Sequence, residues 1–148
     1  MNDENFREVY KTLHNSQDKY VYFILATTIA AIGFAITRTQ NLKLNINQIP
    51  LLISVISWGI SFLCGCINRE YVNSTLYANS ELLKVESGQH PKVGIHPQLI
   101  KAASEGIREA MISNSNKANK LGKGQMCFFM IGVFFYLVWH IIVMSLNK

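Results

Sequence analysis

The chain has 148 residues, enough for one domain. Hydrophobic residues make up 49%, charged residues only 16%, and the mean hydropathy is +0.16, which is apolar for a soluble domain of this size. The formal net charge is +5, but the placement of Lys and Arg explains it without nucleic-acid binding.

Three stretches contain no Asp, Glu, Lys or Arg: Tyr20 to Thr37, Leu44 to Asn68, and Gly124 to Asn147. About 20 mostly apolar residues in a helix cross the hydrocarbon core of a bilayer. Soluble core helices keep a polar stripe, and "MCFFMIGVFFYLVWHIIVM" is apolar almost all round. The expected fold class is an all-α membrane protein with three transmembrane helices, a cytoplasmic N-terminal amphipathic helix and a long cytoplasmic helical hairpin.

Residues 1–19 read as the amphipathic helix. Phe6, Val9, Tyr10 and Leu13 share one face, and Asp3 suits an N-cap. The helix is expected to pack on the other cytoplasmic helices, since surface-lying helices usually are basic and this one is slightly acidic. Four acids precede the first apolar run, with no small-residue cleavage site, so the first span, 20–37, reads as retained. Ala26, Ala30 and Gly33 lie on one side of it and suit close helix contact.

The outer loop, 38–49, is too short for a receptor or enzyme domain. The second span, 50–68, opens on Pro50, which a first helical turn tolerates. Residues 69–123 form the hairpin. "REYVNSTLYANSELLKVE" continues the second span without a breaker, and Gly88 stops it. "SGQHPKVGIHP" is the tip. The return arm leads to the third span, 124–145, with Gly122 and Gly124 placed to kink the chain. The outer tail is 146–148.

Lys and Arg beside the spans orient them. With the N-terminus inside, eleven lie inside and three, Arg38, Lys43 and Lys148, outside. The expected location is a bacterial inner membrane, N-terminus cytoplasmic and C-terminus periplasmic.

At about 100° per residue, Ser54, Ser57, Ser61, Gly65 and Asn68 share a face with Val72, Leu76 and Leu83. That face is polar and small in the bilayer and apolar beyond it. On the returning helix Ile100, Ala103, Ile107, Met111, Ala118 and Leu121 continue as Gln125, Gly132, Tyr136 and His140. One inward stripe explains both, because water drives apolar groups inward and lipid drives polar groups inward. Within the bilayer the stripe reads either as tight packing with Ser-to-backbone hydrogen bonds or as the wall of a pore shared by several chains. Three helices alone cannot enclose a pore, so the second reading requires a homo-oligomer of four or more copies, a tetramer being the smallest.

No P-loop, GxSxG, HExxH or CxxC pair is present, so no enzyme activity, metal or cofactor is expected. Cys64, Cys66 and Cys127 read as buried thiols. His140 is the one ionisable residue inside a span, which is either functional or an interfacial anchor beside Trp139. His90, Lys92, His96 and Lys101 at the tip either hold a small anionic ligand or form a solvated turn.

Residues 20–37, the loop 38–49 and residues 50–86, with a helix preceding, resemble the SLATT-type small membrane effectors of bacterial anti-phage and nucleotide-signalling systems. Hailong-type membrane effectors are close in kind. The resemblance covers about the first 90 residues and lies in architecture. It implies an oligomeric, gated ion channel that depolarises the host membrane, answering to a cytoplasmic regulatory protein or a nucleotide or oligonucleotide signal, with membrane lipid as its surroundings. The alternatives are an immunity protein against a pore-forming bacteriocin and a non-catalytic membrane scaffold for a cytoplasmic partner.

Overall fold

The computed structural model describes residues 3–40 and 45–146, with side chains from Glu8 onward apart from Tyr10 and His14. Three long helices account for nearly all of them: α1 (Asp3–Thr39), α2 (Ile49–Glu86) and α3 (Pro97–Leu146). A short 3-10 turn, Ile46–Gln48, precedes α2. There is no strand among the described residues. All three helices are long and apolar enough to cross a membrane.

The segment expected as a separate amphipathic helix and the first span are one unbroken element, α1. Nothing in the sequence interrupts it, since no Gly or Pro falls between Asp3 and Ile32. Val9 and Leu13 are exposed, so the apolar stripe of the N-terminal part is not covered within its own unit. The proposed cap at Asp3 and the side chains of Phe6 and Tyr10 lie outside the described residues.

The loop into α2 closes through its own side chain. Asn45 accepts the amide of Ile46 on Oδ1 at 2.7 Å, and its carbonyl receives the Gln48 amide. Pro50 sits in the first turn of α2, where no backbone donor is missed. At the far end Gly88 adopts φ 71°. The Gln89 amide reaches the carbonyl of Lys84 and the Gly88 amide that of Val85. That pair of bonds is the Schellman stop, which needs a left-handed residue and favours glycine. His96 begins α3: its carbonyl accepts the Ile100 amide, and Pro97 occupies the first helical position.

The chain divides into two compact units, Met1–Gly65 with Gly124–Lys148, and Cys66–Lys123. In the first, Ala35, Leu51, Trp58 and Trp139 form the buried core. Its outer surface is large and apolar, including Phe23, Ile56, Leu63, Phe134, Leu137 and Ile141. A surface of that kind is suited to lipid. In the second unit α2 and α3 pair antiparallel, with Leu82, Val85 and Ala118 buried.

On α1 the buried residues are Ile24, Thr28 and Ala35. The small residues expected at the helix contact, Ala26, Ala30 and Gly33, are exposed instead, and nothing lies within 4 Å of a Cβ placed on Gly33. α1 therefore turns Ile24, Thr28 and Ala35 inward, and Ala26, Ala30 and Gly33 lie on its outer surface among Phe23, Ile29 and Phe34.

Candidate functional site: a polar ladder between α2 and α3

The serine stripe packs against α3 of the same chain. Ser54 Oγ donates to the carbonyl of Gly132 at 2.7 Å, and Ser61 Oγ to that of Gln125 at 2.7 Å. In the second unit Asn68 Nδ2 donates to the carbonyl of Ala118. From rung to rung the donor advances seven residues and the acceptor retreats seven. Ser54 and Ser61 are 0% exposed, Ser57 6% and Asn68 7%. Ser54, Ser61 and Asn68 thus make the side-chain-to-backbone hydrogen bonds that tight packing of the stripe calls for.

Seven-residue spacing is the signature of a left-handed helix pair, in which about 3.5 residues per turn keep one seam facing the partner. On α3 the buried positions are Ala118, Gln125, Gly132 and Trp139, again seven apart. That period accounts for three misplaced residues. A face drawn at 3.6 residues per turn drifts by roughly 20° per heptad from such a seam. The drift carries Leu76 and Leu83 onto the expected inward face, where the structure buries Leu82 and Val85. It likewise selects His140, which is exposed, in place of Trp139.

Two glycines let the helices approach. A Cβ on Gly132 would strike the Trp58 indole, and a Cβ on Gly65 would fall 2.6 Å from Gln125 Nε2 and 2.7 Å from Leu25. Gly65 is thus where all three helices of the membrane unit meet. Gln125 is 1% exposed; its backbone carbonyl serves Ser61, while its Nε2 has no hydrogen-bond partner. Gly122 and Gly124 do not interrupt α3. A Cβ on Gly122 would meet Asn68 Nδ2 at 3.3 Å, so its smallness admits the third rung.

Tyr136 belongs to an aromatic cluster, with Trp58 at 5.7 Å, Trp139 at 5.6 Å and Phe34 at 6.5 Å between ring centroids. The Arg38 guanidinium lies 5.2 Å over Phe34. Cys66 and Cys127 are exposed and Cys64 is half-buried, which corrects the expectation of three buried thiols. A thiol behaves as a small hydrophobe, so an outward position in an apolar helix carries little penalty.

At the hairpin tip His90 turns back on α2. Its Nε2 lies 3.6 Å from Glu81 Oε2, and its Nδ1 accepts the Lys92 amide at 3.3 Å. Glu81 also takes Lys84 Nζ at 2.7 Å. The Lys84 hydrogen bond holds the Glu81 carboxyl below its ordinary range, and Glu81 raises the Lys84 ammonium. Lys92, His96 and Lys101 are exposed, and His96 serves as the start of α3. The described contacts of His90 are thus to a carboxylate and to its own turn, as in a solvated turn. They do not assemble the four residues around a common point. Arg108 closes the hairpin on Glu86 at 2.7 Å. No group of three or more His, Cys, Asp or Glu suited to a metal occurs among the described residues.

Sequence reasoning placed Gln125 and Gly132 on the stripe without giving them a role. The signal was the heptad from Ala118 to Trp139, which a 3.6-residue wheel blurs. No family model matches the chain, and neither a curated protein nor a solved structure does.

Proposed function

We propose that the protein is a non-enzymatic membrane effector that works as a homo-oligomer, forming a gated ion channel between copies that depolarises the host membrane. The observation that carries this reading is the pairing of α2 and α3. Each runs unbroken from the membrane unit into the hairpin, and rungs at Ser54, Ser61 and Asn68 fix one against the other. α2 and α3 are each a single continuous helix, so the chain passes from one unit to the other without a loop. A cytoplasmic regulator, protein or nucleotide, moves a gating equilibrium only by binding one state better than the other.

Support for assembly comes from the outward face of α1. Ala26, Ala30, Gly33 and Thr37 are exposed at alternating four- and three-residue spacing, the small-residue pattern that lets membrane helices meet closely. His140 is exposed on the outer half of α3, where an ionisable group seeks a wet or protein-lined surface. In this reading the pore wall lies between copies and includes His140, while the serine seam is structural. The Lys and Arg distribution supports a cytoplasmic N-terminus and hairpin in a bacterial inner membrane.

Induced expression with a membrane-potential dye tests the function. Depolarisation on induction or on triggering is the expected result, and a silent membrane under every condition overturns it. An alkaline phosphatase fusion at the C-terminus is expected to be active and one at the N-terminus inactive. One observation favours a second reading, a non-catalytic scaffold or an immunity protein: the serine donors are satisfied within a single chain, so the stripe itself calls for no partner copy.

A further inference from the structure

Beyond the seam, the cytoplasmic hairpin carries a second apolar line. Leu76 and Leu83 stand seven apart on α2, each one position after a seam residue, Thr75 and Leu82. They are 45% and 61% exposed, and Ile112 on α3 is 62% exposed. Beside them runs a groove of about 290 Å³ lined by Thr75, Met111, Ile112, Ser115 and Asn116. The other flank of the hairpin is marked by Lys117, whose ammonium lies 5.5 Å over Tyr71.

Lipid does not account for this line. Leu83 lies fourteen residues past Arg69, the first charged residue after the second span, which is about 21 Å of helix. The charge pattern is also unusual for a water-facing surface. Tyr71 to Ser80 on α2 and Ala110 to Asn116 on α3 contain no charged residue. The ladder register puts Thr75 level with Met111, so the two windows overlap and form a charge-free collar.

The charge around the collar says what covers it. Residues 66–123 hold eight Lys and Arg against five Glu, a net of three positive charges. An acidic partner would be drawn to Lys117, Lys120 and Lys123 beside the collar, where positive charge is concentrated. A second copy of the same positive unit is repelled over most of its surface, and the collar is where two copies meet without that repulsion. Depletion of charge is the compositional mark of an interface core. Protruding leucines and a groove on one flank also satisfy the demand of a two-fold contact, that the patch be complementary to itself.

We propose that this flank, centred on Leu76, Leu83 and Ile112 with the groove at Thr75 and Ser115, is the surface through which the hairpins of two copies dock. The inference rests on the homo-oligomer reading above and assigns its cytoplasmic contact. The two leucines repeat the seven-residue spacing of the seam one position further round α2, so a second copy meeting them can pack with the same left-handed period, as a four-helix bundle.

Full-length chains carrying two different tags, co-expressed and solubilised with native lipid, provide the test. Wild-type copies are expected to co-purify. Leu76→Glu with Ile112→Glu in both copies is expected to lower co-purification about tenfold, since like charges facing each other across an interface are strongly disfavoured. Circular dichroism checks that the variant keeps its helix content. If it does not, Leu83→Cys in a chain with Cys64, Cys66 and Cys127 changed to Ser replaces it, treated in membranes with a short bismaleimide. A dimer band there, absent for Lys117→Cys, supports the flank. Copies that co-purify equally well with the glutamates, or no Leu83 band beside intact co-purification, overturn the docking flank and leave the oligomer standing. Wild-type copies that never co-purify overturn both.

Discussion

The same helix pair is solved twice in this molecule, with opposite chemistry. In the membrane unit the seam of α2 and α3 sets Ser54, Ser61, Gln125 and Gly132 beside the buried Leu51, Trp58 and Trp139, while the outer surface is Phe, Leu and Ile. In the hairpin unit, residues 66–123, the seam is Leu82, Val85 and Ala118, and the outer surface carries Glu81, Lys84, Arg108 and their neighbours. Leu82 lies fourteen residues past the Asn68 rung, so the period of the rungs carries into the second unit. Geometry therefore does not depend on the solvent, but the residue type that satisfies it does. In water, apolar burial drives association. In lipid that drive is gone, and contact depends on close backbone approach and on interhelical hydrogen bonds. Asn68 stands at the change-over: a polar rung in the register of the serines, in the unit whose core is otherwise apolar.

The comparison breaks most easily where the membrane seam has no slack. Gly132→Leu sets side-chain atoms where the Trp58 indole lies, and α3 backbone and the Ser54 rung hold the helix in place. Overpacking of this kind is expected to destabilise the protein by about 3 kcal/mol, read as a shifted midpoint of unfolding in mixed micelles. A midpoint equal to that of the native chain would mean that α2 and α3 are not held at this distance. Next in size is a cavity in the hairpin seam. Leu82→Ala is expected to cost about 2–3 kcal/mol and to speed amide exchange in the hairpin. Ser61→Ala, at the corresponding place in the membrane seam, is expected to cost only about 0.6 kcal/mol, the average for such bonds in a bilayer. A Ser61 effect as large as that of Leu82 would remove the contrast drawn between the two seams.

Much of this fold is legible in the residues. Charge-free runs mark the spans, Pro50 and Pro97 open helices, and Gly88 closes one, because each of those signals is local. The inward stripe is legible as well, since only a packed or wet face explains serines spaced along an apolar helix. What escapes is the phase over long distances. A wheel of 3.6 residues is accurate for two turns, yet across twenty residues it slides from Trp139 to His140 and from Leu82 to Leu83. The outward turn of Ala26, Ala30 and Gly33 escapes too, because a small face suits a helix of the same chain or of another equally well.

The smallest effect belongs to the hairpin tip, and it separates the units by pH. Glu81 binds Lys84 and faces His90, and the Lys84 hydrogen bond holds its carboxyl below the usual carboxylate range. A depressed carboxyl contributes stability that is fully present above its unfolded value and is lost as pH falls through the folded one. Lys84 is raised above 10.5, so its contribution is fully present below that value and is lost only as pH rises through the higher folded one. Near neutrality both are in place, and nothing at the tip should respond to pH between those limits through this pair. Acidification through its lowered folded value protonates Glu81 and releases Lys84 and His90 together. The amides of Gly88 and Gln89, which close α2 on Val85 and Lys84, should then exchange faster after correction for the intrinsic pH dependence of exchange. Glu81→Gln should give the same fraying at neutral pH and abolish the acid response. The serine rungs contain no group that titrates in this range, so exchange in the membrane seam should stay flat across the same titration. A seam that loosened in step with the tip would mean that the two units open as one.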